Sequence, residues 1–239
     1  MLSGCRAVLE TLSGLFFPLH CAGCGKAIRS GWLCKACVDS LSFVRPPRCE
    51  VCSQPYSGAL ETFVCANCWG RAFHFSCAVA VLQSRGVVRE LIHRLKYAGE
   101  VWLASPLSDL LAQGLRDARL AGCRFDALVP VPLHPLRKRE REFNQAELLG
   151  RELSKRQEVP LWAALERVRY TVTQTHFNRR QRMQNLRDAF AVRRNVVLQG
   201  KNLLLIDDVL TTGSTLDECA RTLLMAGARS VGALTVARG

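Results

Sequence analysis

The sequence of 239 residues lacks a long apolar run: no stretch approaches the ~20 apolar residues that a helix needs to cross a bilayer. Acidic side chains are also scarce, with 20 Asp and Glu against 33 Lys and Arg, which gives a formal charge of +13. No segment is of low complexity, and nothing repeats apart from a doubled cysteine pattern. These absences argue against a helical membrane protein. They favour a globular protein with a hydrophobic core. The excess of basic side chains favours partners that carry negative charge.

Residues 1–20 carry apolar side chains at helical spacing, including Val8, Leu12 and Phe16. A secretory signal would open with a basic head, which this segment lacks, and a cysteine pair follows it at once. We therefore expect an amphipathic helix over residues 1–19 and a cytoplasmic protein without a membrane span.

Eight of the twelve cysteines form four Cys-x-x-Cys pairs within 48 residues. Each pair can give two thiolates to a tetrahedral zinc ion, so two pairs complete a closed structural site. We predict two zinc ions. Sequential pairing is our preferred arrangement, although spacing alone leaves crossed pairs open. The expected ligands are Cys21, Cys24, Cys34 and Cys37 in one site, and Cys49, Cys52, Cys65 and Cys68 in the other.

Disulfides and redox chemistry are the competing interpretations of these pairs. A reducing compartment disfavours disulfides, and a redox function does not need four Cys-x-x-Cys pairs in a row. The other four cysteines fall outside the pattern, and we expect them to be small buried apolar residues. They are Cys5, Cys77, Cys123 and Cys219.

The segment Asp207–Thr215 reads Asp-Asp-Val-Leu-Thr-Thr-Gly-Ser-Thr. It follows an apolar run that predicts a buried strand, and it leads into a predicted helix over Thr215–Ala226. Thr215 and Glu218 have the spacing of a capping box. A strand, a loop of Thr, Gly and Ser, and a helix N-terminus favour a phosphate, because amides, hydroxyls and the helix dipole all attract an anion.

Two adjacent carboxylates before this loop suit the other half of a sugar phosphate. Ionised Asp207 and Asp208 only accept hydrogen bonds, so the pair can hold two vicinal ribose hydroxyls. A plain turn between strand and helix is the alternative, but two acids at the end of an apolar strand are costly without a ligand or partner.

The rest of the chain alternates between strand and helix patterns. Further strands are predicted at Ala127–Leu133, Ala189–Val197, Asn202–Ile206 and Val231–Ala237, and further helices at Val87–Ala98, Ser105–Ala118 and Asn144–Arg156. We expect an α/β fold with a parallel sheet and flanking helices, preceded by a small double zinc-ribbon module. The expected domains are an N-terminal helix (1–19), the zinc module (20–76) and the α/β domain (77–239).

Segment 203–215 resembles the phosphoribosyl-pyrophosphate (PRPP) loop of type I phosphoribosyltransferases. Together with Leu95-Lys96-Tyr97 and Val129–Gln145, it makes nearly the whole chain after about residue 18 resemble the ComF family. That family joins a double zinc ribbon to a type I phosphoribosyltransferase-like domain and is related to competence. A further family motif matches Arg167 or Arg169, Thr171, Gln174, Arg182, Asn185, Ala189 and Phe190.

One position departs from the family pattern. The family usually has Arg-Gly-Phe-Asn-Gln where this chain has Arg141-Glu142-Phe143-Asn144-Gln145. Glu142 lacks the conformational freedom of Gly and adds a negative charge beside the expected anion site.

The resemblance implies a function for each group of site residues. Asp207 and Asp208 take the catalytic and ribose-binding role, with Mg²⁺ accompanying PRPP. The 5′-phosphate is expected to bind Thr211, Thr212, Gly213, Ser214 and Thr215. Pyrophosphate is expected to bind Arg137 and Arg141, under a lid that contains Arg179, Arg180 and Arg182.

The net charge remains clearly positive after zinc is counted. Each Zn(Cys)₄ centre contributes about −2, so two centres reduce the formal +13 to roughly +9. Ten of the 33 basic side chains form two clusters, both of which precede the expected phosphate loop in the sequence. They are Arg137, Lys138, Arg139 and Arg141, and Arg179, Arg180, Arg182, Arg187, Arg193 and Arg194. Such runs are usually solvated surface, but this placement favours a polyanion. Phe143, Phe177 and Phe190 are too dispersed to predict a base-stacking platform.

Three functions stay open at this point. The preferred one is a PRPP-binding protein of DNA uptake that also binds single-stranded DNA and works with DNA-uptake or helicase proteins. The second is an active phosphoribosyltransferase of nucleobase or nucleotide metabolism. The third is an RNA-binding regulator that senses PRPP. The sequence does not indicate a base acceptor or an oligomeric state.

Overall fold

The computed structural model describes residues 19–58, 60, 62–169 and 186–239. The strands are β1 (Leu19–His20), β2 (Ala27–Ile28), β3 (Ala78–Gln83), β4 (Ala127–Pro130), β5 (Leu165–Arg167), β6 (Phe190–Val192), β7 (Asn202–Leu210) and β8 (Ser230–Arg238). The helices are α1 (Lys35–Asp39), α2 (Gly86–Tyr97), α3 (Ala104–Gln113), α4 (Ala118–Ala121), α5 (Pro135–Arg141), α6 (Gln145–Gln157) and α7 (Ser214–Met225), with 3₁₀ turns at Val101–Leu103 and Gly114–Arg116.

Several expectations lie outside the described residues. They are the helix over 1–19 apart from its last residue, Cys5, the lid arginines Arg179, Arg180 and Arg182, and the motif positions Thr171, Gln174 and Asn185. No helix in the described ranges is long and apolar enough to cross a membrane.

Four parallel strands form the central sheet in the order β3, β8, β7, β4. The central strand β7 runs through the predicted apolar segment and registers Leu205 against Ala233 on one side and Val129 on the other. Side chains alternate along it: Leu203 and Leu205 enter one core, and Leu204 and Ile206 enter the other. The predicted parallel sheet with flanking helices is therefore confirmed.

Each face of the sheet has its own cover. Buried leucines of α2, α3 and α6 pack on the face that receives Leu204, as Leu91, Leu107 and Leu149 illustrate. Helix α7 covers the opposite face through Leu216 and Leu223, together with the antiparallel pair β5–β6. Burial on both faces explains why the strands carry nearly continuous apolar runs rather than an alternation with polar residues.

The cysteine-rich segment wraps around the edge strand β3. Val44 N donates to Val81 O, Gln83 N donates to Ser42 O, and Ala78 N donates to Val51 O, each at 2.8 Å. These bonds satisfy an edge that would otherwise be exposed. The two cysteine sites then reach different faces: Cys21 and Cys37 belong to the core under α2, whereas Cys49, Cys52, Cys65 and Cys68 belong to the core under α7.

Some predicted bounds differ from the structure. Strand β7 continues through both aspartates to Leu210, and the basic segment 135–141, for which no helix was predicted, forms helix α5. Strand β4 ends at Pro130, three residues before the predicted end at 133, and β6 covers only 190–192 of the predicted 189–197. Strand β3 was not predicted from its short apolar run, Ala-Val-Ala-Val-Leu.

Candidate functional site

The two aspartates are delivered by the C-terminal part of β7. Because side chains alternate along a strand, Asp207 and Asp208 leave the backbone toward opposite faces of the sheet. Asp208 N donates to Asp207 Oδ1 at 2.9 Å, which ties the first carboxylate to the backbone of the second residue. The two carboxylates therefore lie on opposite sides of the strand end, and a ligand placed there would meet one carboxylate on each side.

Asp208 is paired with a lysine from α2. Its side chain is 5% exposed, and Lys96 Nζ lies 2.5 Å from Oδ2. This contact is an ion pair by distance, whereas Oδ2 accepts no hydrogen bond of satisfactory geometry. The sequence offered Lys96 only as part of a family motif, without a function. The structure makes it the counter-ion of the acidic pair.

Asp207 lies in a more difficult electrostatic environment. Burial, together with the neighbouring charge of Asp208, raises the pKa of Asp207 to about 8, although Lys96 acts in the opposite direction. On the α7 side, the buried thiol of Cys219 has a pKa well above its usual value, mainly through burial and partly through Asp207. A cationic ligand or metal that approaches Asp207 would relieve this repulsion.

The predicted phosphate loop follows β7 directly. Gly213 has φ +78°, a left-handed conformation that suits glycine, and helix α7 begins at the next residue. Thr212 Oγ1 lies 3.0 Å from Ser214 Oγ and accepts from Ser214 N at 3.4 Å. Residues 207 and 209–216 enclose a cavity of about 30 Å³ at this helix start. Amides and hydroxyls at the positive end of a helix form an anion site.

The predicted capping box is wrong. Because the chain turns on Gly213, helix α7 begins at Ser214, and Thr215 already lies inside it. Glu218 does not reach back to the helix start: its carboxylate binds Arg221 and accepts from Asp188 N at 2.7 Å.

A second, larger cavity lies beside the acidic pair. It measures about 590 Å³ and is lined by the end of α2 and by α5 with the residues that follow it: Lys96, Tyr97, Ala98, Gly99, Arg137, Glu140, Arg141, Glu142 and Phe143. Lys96 connects this cavity to Asp208. Arg137 and Arg141, both predicted for pyrophosphate, are one helical turn apart on α5 and line it together. We call it the basic cleft.

Arg141 is held at the mouth of the basic cleft by Tyr97. Its Nη2 donates to the Tyr97 hydroxyl at 3.1 Å, and its Cζ lies 4.7 Å from the ring centroid. Its Nη1 donates to Gln145 Oε1 at 3.2 Å. These contacts fix the guanidinium beside the cavity, since cation–π and hydrogen-bond contacts act together on it.

Glu142, the position that departs from the family pattern, ends α5 in the left-handed region with φ +66°. Glycine adopts this conformation without the clash that a Cβ introduces. The side chain also lines the basic cleft, so its negative charge faces the expected pyrophosphate site. Both consequences expected from the sequence therefore have a structural basis.

The second family motif meets across the pair β5–β6. Arg167 Cζ lies 5.4 Å from the ring centroid of Phe190. Burial, and then the charge of Arg137, lower the pKa of Arg167. Arg169 Nη1 donates to Arg187 O at 2.8 Å. The charges of Arg137 and Asp207 both act on Arg167, which therefore lies near one residue of the first basic cluster and one of the acidic pair.

The eight predicted zinc ligands form two groups with the sequential pairing. Within each group the sulfur atoms all lie within 4.8 Å of one another. Backbone amides also donate to sulfur: Cys34 N to Cys21 Sγ at 3.2 Å, and Cys65 N to Cys49 Sγ at 3.4 Å. Four converging thiols with amide donors fit a structural zinc ion in each group.

The two cysteine groups differ in exposure. Cys24 is exposed in the first group, whereas all four sulfurs of the second belong to buried residues. Of the cysteines predicted to be small buried residues, Cys77 and Cys219 are buried. Cys123 is exposed, because it lies just after the short helix α4, so that prediction is wrong.

Two family models match the chain: "Double zinc ribbon domain" over residues 12–69 and "Phosphoribosyl transferase domain" over residues 143–239. Among curated relatives, Competence protein F of Haemophilus influenzae is 32% identical over 228 residues, which cover 93% of this chain and 97% of the relative. DNA utilization protein YhgH of Escherichia coli K12 is 34% identical, covering 83% of this chain and 93% of the relative.

Two more distant similarities were found. Competence protein ComFC of Bacillus subtilis is 27% identical, over 86% of this chain and 84% of the relative. Among solved structures, the glutamine PRPP amidotransferase of B. subtilis, complexed with ADP and GMP, aligns with 20% identity and a TM-score of 0.37 over 55% of this chain and 26% of that one.

The sheet, the cysteine groups and the two family models define a phosphoribosyltransferase-like domain joined to a double zinc ribbon. Within that class, sequence identity extends along nearly the full length of a curated relative. The chain belongs to the ComF family of competence and DNA utilization proteins.

Proposed function

We propose that this protein binds PRPP, or a closely related ribose phosphate, together with Mg²⁺, and that it acts in the uptake or use of DNA. The observation that carries the proposal is the continuity of β7, the phosphate loop and α7. This segment places Asp207, Asp208 and residues 211–215 next to one another at the carboxyl end of a central parallel strand. Ligands of open α/β sheets bind at such strand ends.

Each part of PRPP has a matching feature. The 5′-phosphate suits the loop amides and hydroxyls at the start of α7. The ribose hydroxyls suit the carboxylates of Asp207 and Asp208, which accept hydrogen bonds. The pyrophosphate suits the basic cleft, where Arg137 and Arg141 lie on the same side as Lys96. The cleft volume of about 590 Å³ leaves room for this group.

The residues fit Mg²⁺ only in company with the ligand. Two carboxylates are present at the strand end, and one of them is already paired with Lys96 at 2.5 Å. Mg²⁺ in proteins commonly uses one or two carboxylates and completes its shell with phosphate oxygens and water. A divalent cation would stabilise the ionised form of Asp207, whose pKa burial and the neighbouring Asp208 raise. The metal would neutralise pyrophosphate.

The DNA part of the proposal rests on charge and on the relatives. Arg137 and Arg141 line the basic cleft, and a second cavity that shares Glu142 with it is lined by Lys138, Arg139 and Arg193. The curated relatives are named competence and DNA utilization proteins. A phosphate backbone would be held by arginines without base recognition. We therefore propose that single-stranded DNA binds along α5 and the arginines of 179–194.

The ligand assignment is tested by isothermal titration with PRPP and with its fragments. In the presence of Mg²⁺, PRPP should bind more tightly than ribose 5-phosphate or pyrophosphate alone, because only the whole ligand uses both the loop and the basic cleft. Without Mg²⁺ its affinity should fall. If pyrophosphate binds as tightly as PRPP and ribose 5-phosphate gives no heat, the site is a simple polyanion site and the ribose assignment is wrong.

A further inference from the structure

The second cysteine site touches the phosphate loop through the turn that carries two of its ligands. Asn67 lies between Cys65 and Cys68, and its Nδ2 donates to Thr212 O at 3.3 Å. Arg71 Nη1 donates to the same carbonyl at 3.3 Å and also to Asn67 O at 3.2 Å. The carbonyl of the loop residue before Gly213 is therefore fixed by the cysteine turn, from residues more than 140 positions away in sequence.

A buried arginine makes a second connection to the same site. Arg238, at the end of β8, is 7% exposed. Its Nη1 donates to Leu210 O at 3.0 Å, and its Nη2 lies 3.9 Å from Cys52 Sγ. One guanidinium thus bridges a cysteine ligand and the last residue of β7. A thiolate at Cys52 would strengthen this contact, since hydrogen bonds to ionised partners are stronger than neutral ones.

Aromatic and acidic contacts complete the interface. A Cβ built on Gly213 would lie 3.4 Å from Phe73 and 3.6 Å from Phe75, so these rings support the loop where it turns. The His74 amide donates to Asp217 Oδ1, in the first turn of α7, at 2.7 Å. Residues 67–75 therefore contact the loop before, at and after its left-handed glycine.

The first cysteine site lies against a different element. Arg94 Nη1, on α2, donates to Ala22 O between two of its ligands, and Cys37 packs in the core with the leucines of α2. This difference makes the first site a natural control for the second.

We propose that the second cysteine site is a positioning element of the phosphate loop, and that zinc held there and an anion bound to the loop stabilise each other. The proposal rests on the proposed function. Its physical basis is that Leu210 O and Thr212 O are held by Arg238, Asn67 and Arg71, so the loop amides keep the orientation that an anion needs. Such coupling is reciprocal: whatever the metal adds to anion affinity, the anion adds to metal affinity.

The test follows zinc release into excess chelator, by absorbance, with and without saturating ribose 5-phosphate. Two phases should be resolved, the faster from the first site because Cys24 is exposed, and Cys24→Ser should accelerate that phase alone. Ribose 5-phosphate should slow the second phase by at least about fivefold, because typical coupling changes affinity by at least that factor and affinity changes appear mostly in the dissociation rate. It should leave the first phase unchanged.

Variants that keep all eight cysteines assign the coupling to the named contacts. Arg238→Lys keeps the charge but loses the two-armed guanidinium, and it should reduce the protection of the second phase while two zinc ions per chain remain bound. Asn67→Ala should do the same if Arg238→Lys does not fold. The matched control is Arg94→Lys, which removes the corresponding arginine contact to the first site and should leave the protection intact.

Calorimetry on the same samples separates the two proposals. If ribose 5-phosphate binds the wild type but both zinc ions leave at unchanged rates, the coupling is wrong and the proposed function stands. If ribose 5-phosphate and PRPP both fail to bind, the proposed function is wrong and the coupling fails with it. Equal slowing of both phases would indicate general stabilisation and would also overturn the coupling.

Discussion

Nζ of Lys96, the penultimate residue of α2, lies 2.5 Å from Oδ2 of Asp208, two residues after the apolar run of the central strand. This ion pair joins the two halves of the proposed site, because Lys96 lines the basic cleft and Asp208 precedes the phosphate loop. It also gives a carboxylate that is 5% exposed a counter-ion near the end of the strand.

Removing the lysine should therefore destabilise the protein. We expect Lys96→Met to lower the free energy of unfolding at pH 7 by about 2–3 kcal/mol, less than the ~3–5 for a fully buried pair, because Lys96 is 19% exposed. Adding Asp208→Asn should recover most of the loss, since no unpaired charge would remain. Urea denaturation of the three variants measures this cycle. Additive losses in the double variant would contradict the pairing.

The raised pKa of Asp207 predicts a dependence of stability on pH. Its folded pKa of about 8 lies above the ordinary value of 3.8, so the folded state binds more protons between these values. The free energy of unfolding should fall as the pH rises from about 4 to about 8, through this group, and then level off. Asp207→Asn lacks this contribution, so its stability relative to wild type should increase over that window. Thermal unfolding at several pH values measures this difference. If the melting temperatures of wild type and Asp207→Asn change equally across the window, the prediction is wrong.

Replacing Glu142 should both stabilise the protein and strengthen its binding of pyrophosphate. We expect Glu142→Gly to raise the free energy of unfolding by about 0.5–1 kcal/mol, because glycine adopts φ +66° without strain. It should also tighten pyrophosphate binding by removing a negative charge from the basic cleft. Chemical denaturation and calorimetry measure the two effects.

The control for this substitution is Glu140→Gly. Glu140 lines the same cavity but lies inside α5, where glycine costs roughly 0.5–1 kcal/mol. The two variants should therefore change stability in opposite directions and pyrophosphate affinity in the same direction. If both are destabilised equally, the backbone explanation for Glu142 is wrong.

The proposed DNA binding predicts a measurable dependence on salt. Each phosphate contact to single-stranded DNA contributes roughly −0.7 to the slope of log affinity against log salt. Arg179→Ala with Arg180→Ala and Arg182→Ala should flatten that slope by up to about two units. Sequence preference should be weak. Fluorescence anisotropy with labelled oligonucleotides at several salt concentrations makes the measurement.

A pair of basic residues on the outer surface of α6 serves as the control. Arg151→Ala with Lys155→Ala removes two exposed charges and should leave the slope unchanged. If the arginine triple variant binds DNA with unaltered affinity at every salt concentration, the DNA function does not belong to this segment. Loss of PRPP turnover with unchanged, weak DNA binding would favour the enzyme alternative.

Features encoded by neighbouring residues were predictable from the sequence. The four cysteine pairs and the loop after β7 depend on residue types at fixed short spacing, and the structure groups the cysteines as the sequential pairing predicts. The predicted helix start was one residue late. The turn before the helix is made by Gly213, and the capping box expected from the Thr215–Glu218 spacing does not form. Local spacing identified the loop but not which residue ends it.

Features that depend on distant contacts were not predictable. The pair Lys96–Asp208 joins residues 112 positions apart, and no periodicity connects them. The bridge from Arg238 to Cys52 and Leu210 is equally nonlocal, since a basic residue at a strand end usually indicates only solvent exposure. Strand β3 was missed because a short apolar run does not distinguish a buried strand from a helix segment.

The central claim is that the acidic pair holds a ribose phosphate, and a calorimetric titration with Mg²⁺-PRPP tests it most directly. Wild type should bind at one site per chain. The double variant Asp207→Asn with Asp208→Asn should remain folded and give no binding heat. The control Asp109→Asn, which alters an exposed carboxylate on α3, should bind like wild type. No heat with wild type, or equal binding by the double variant, would contradict the account.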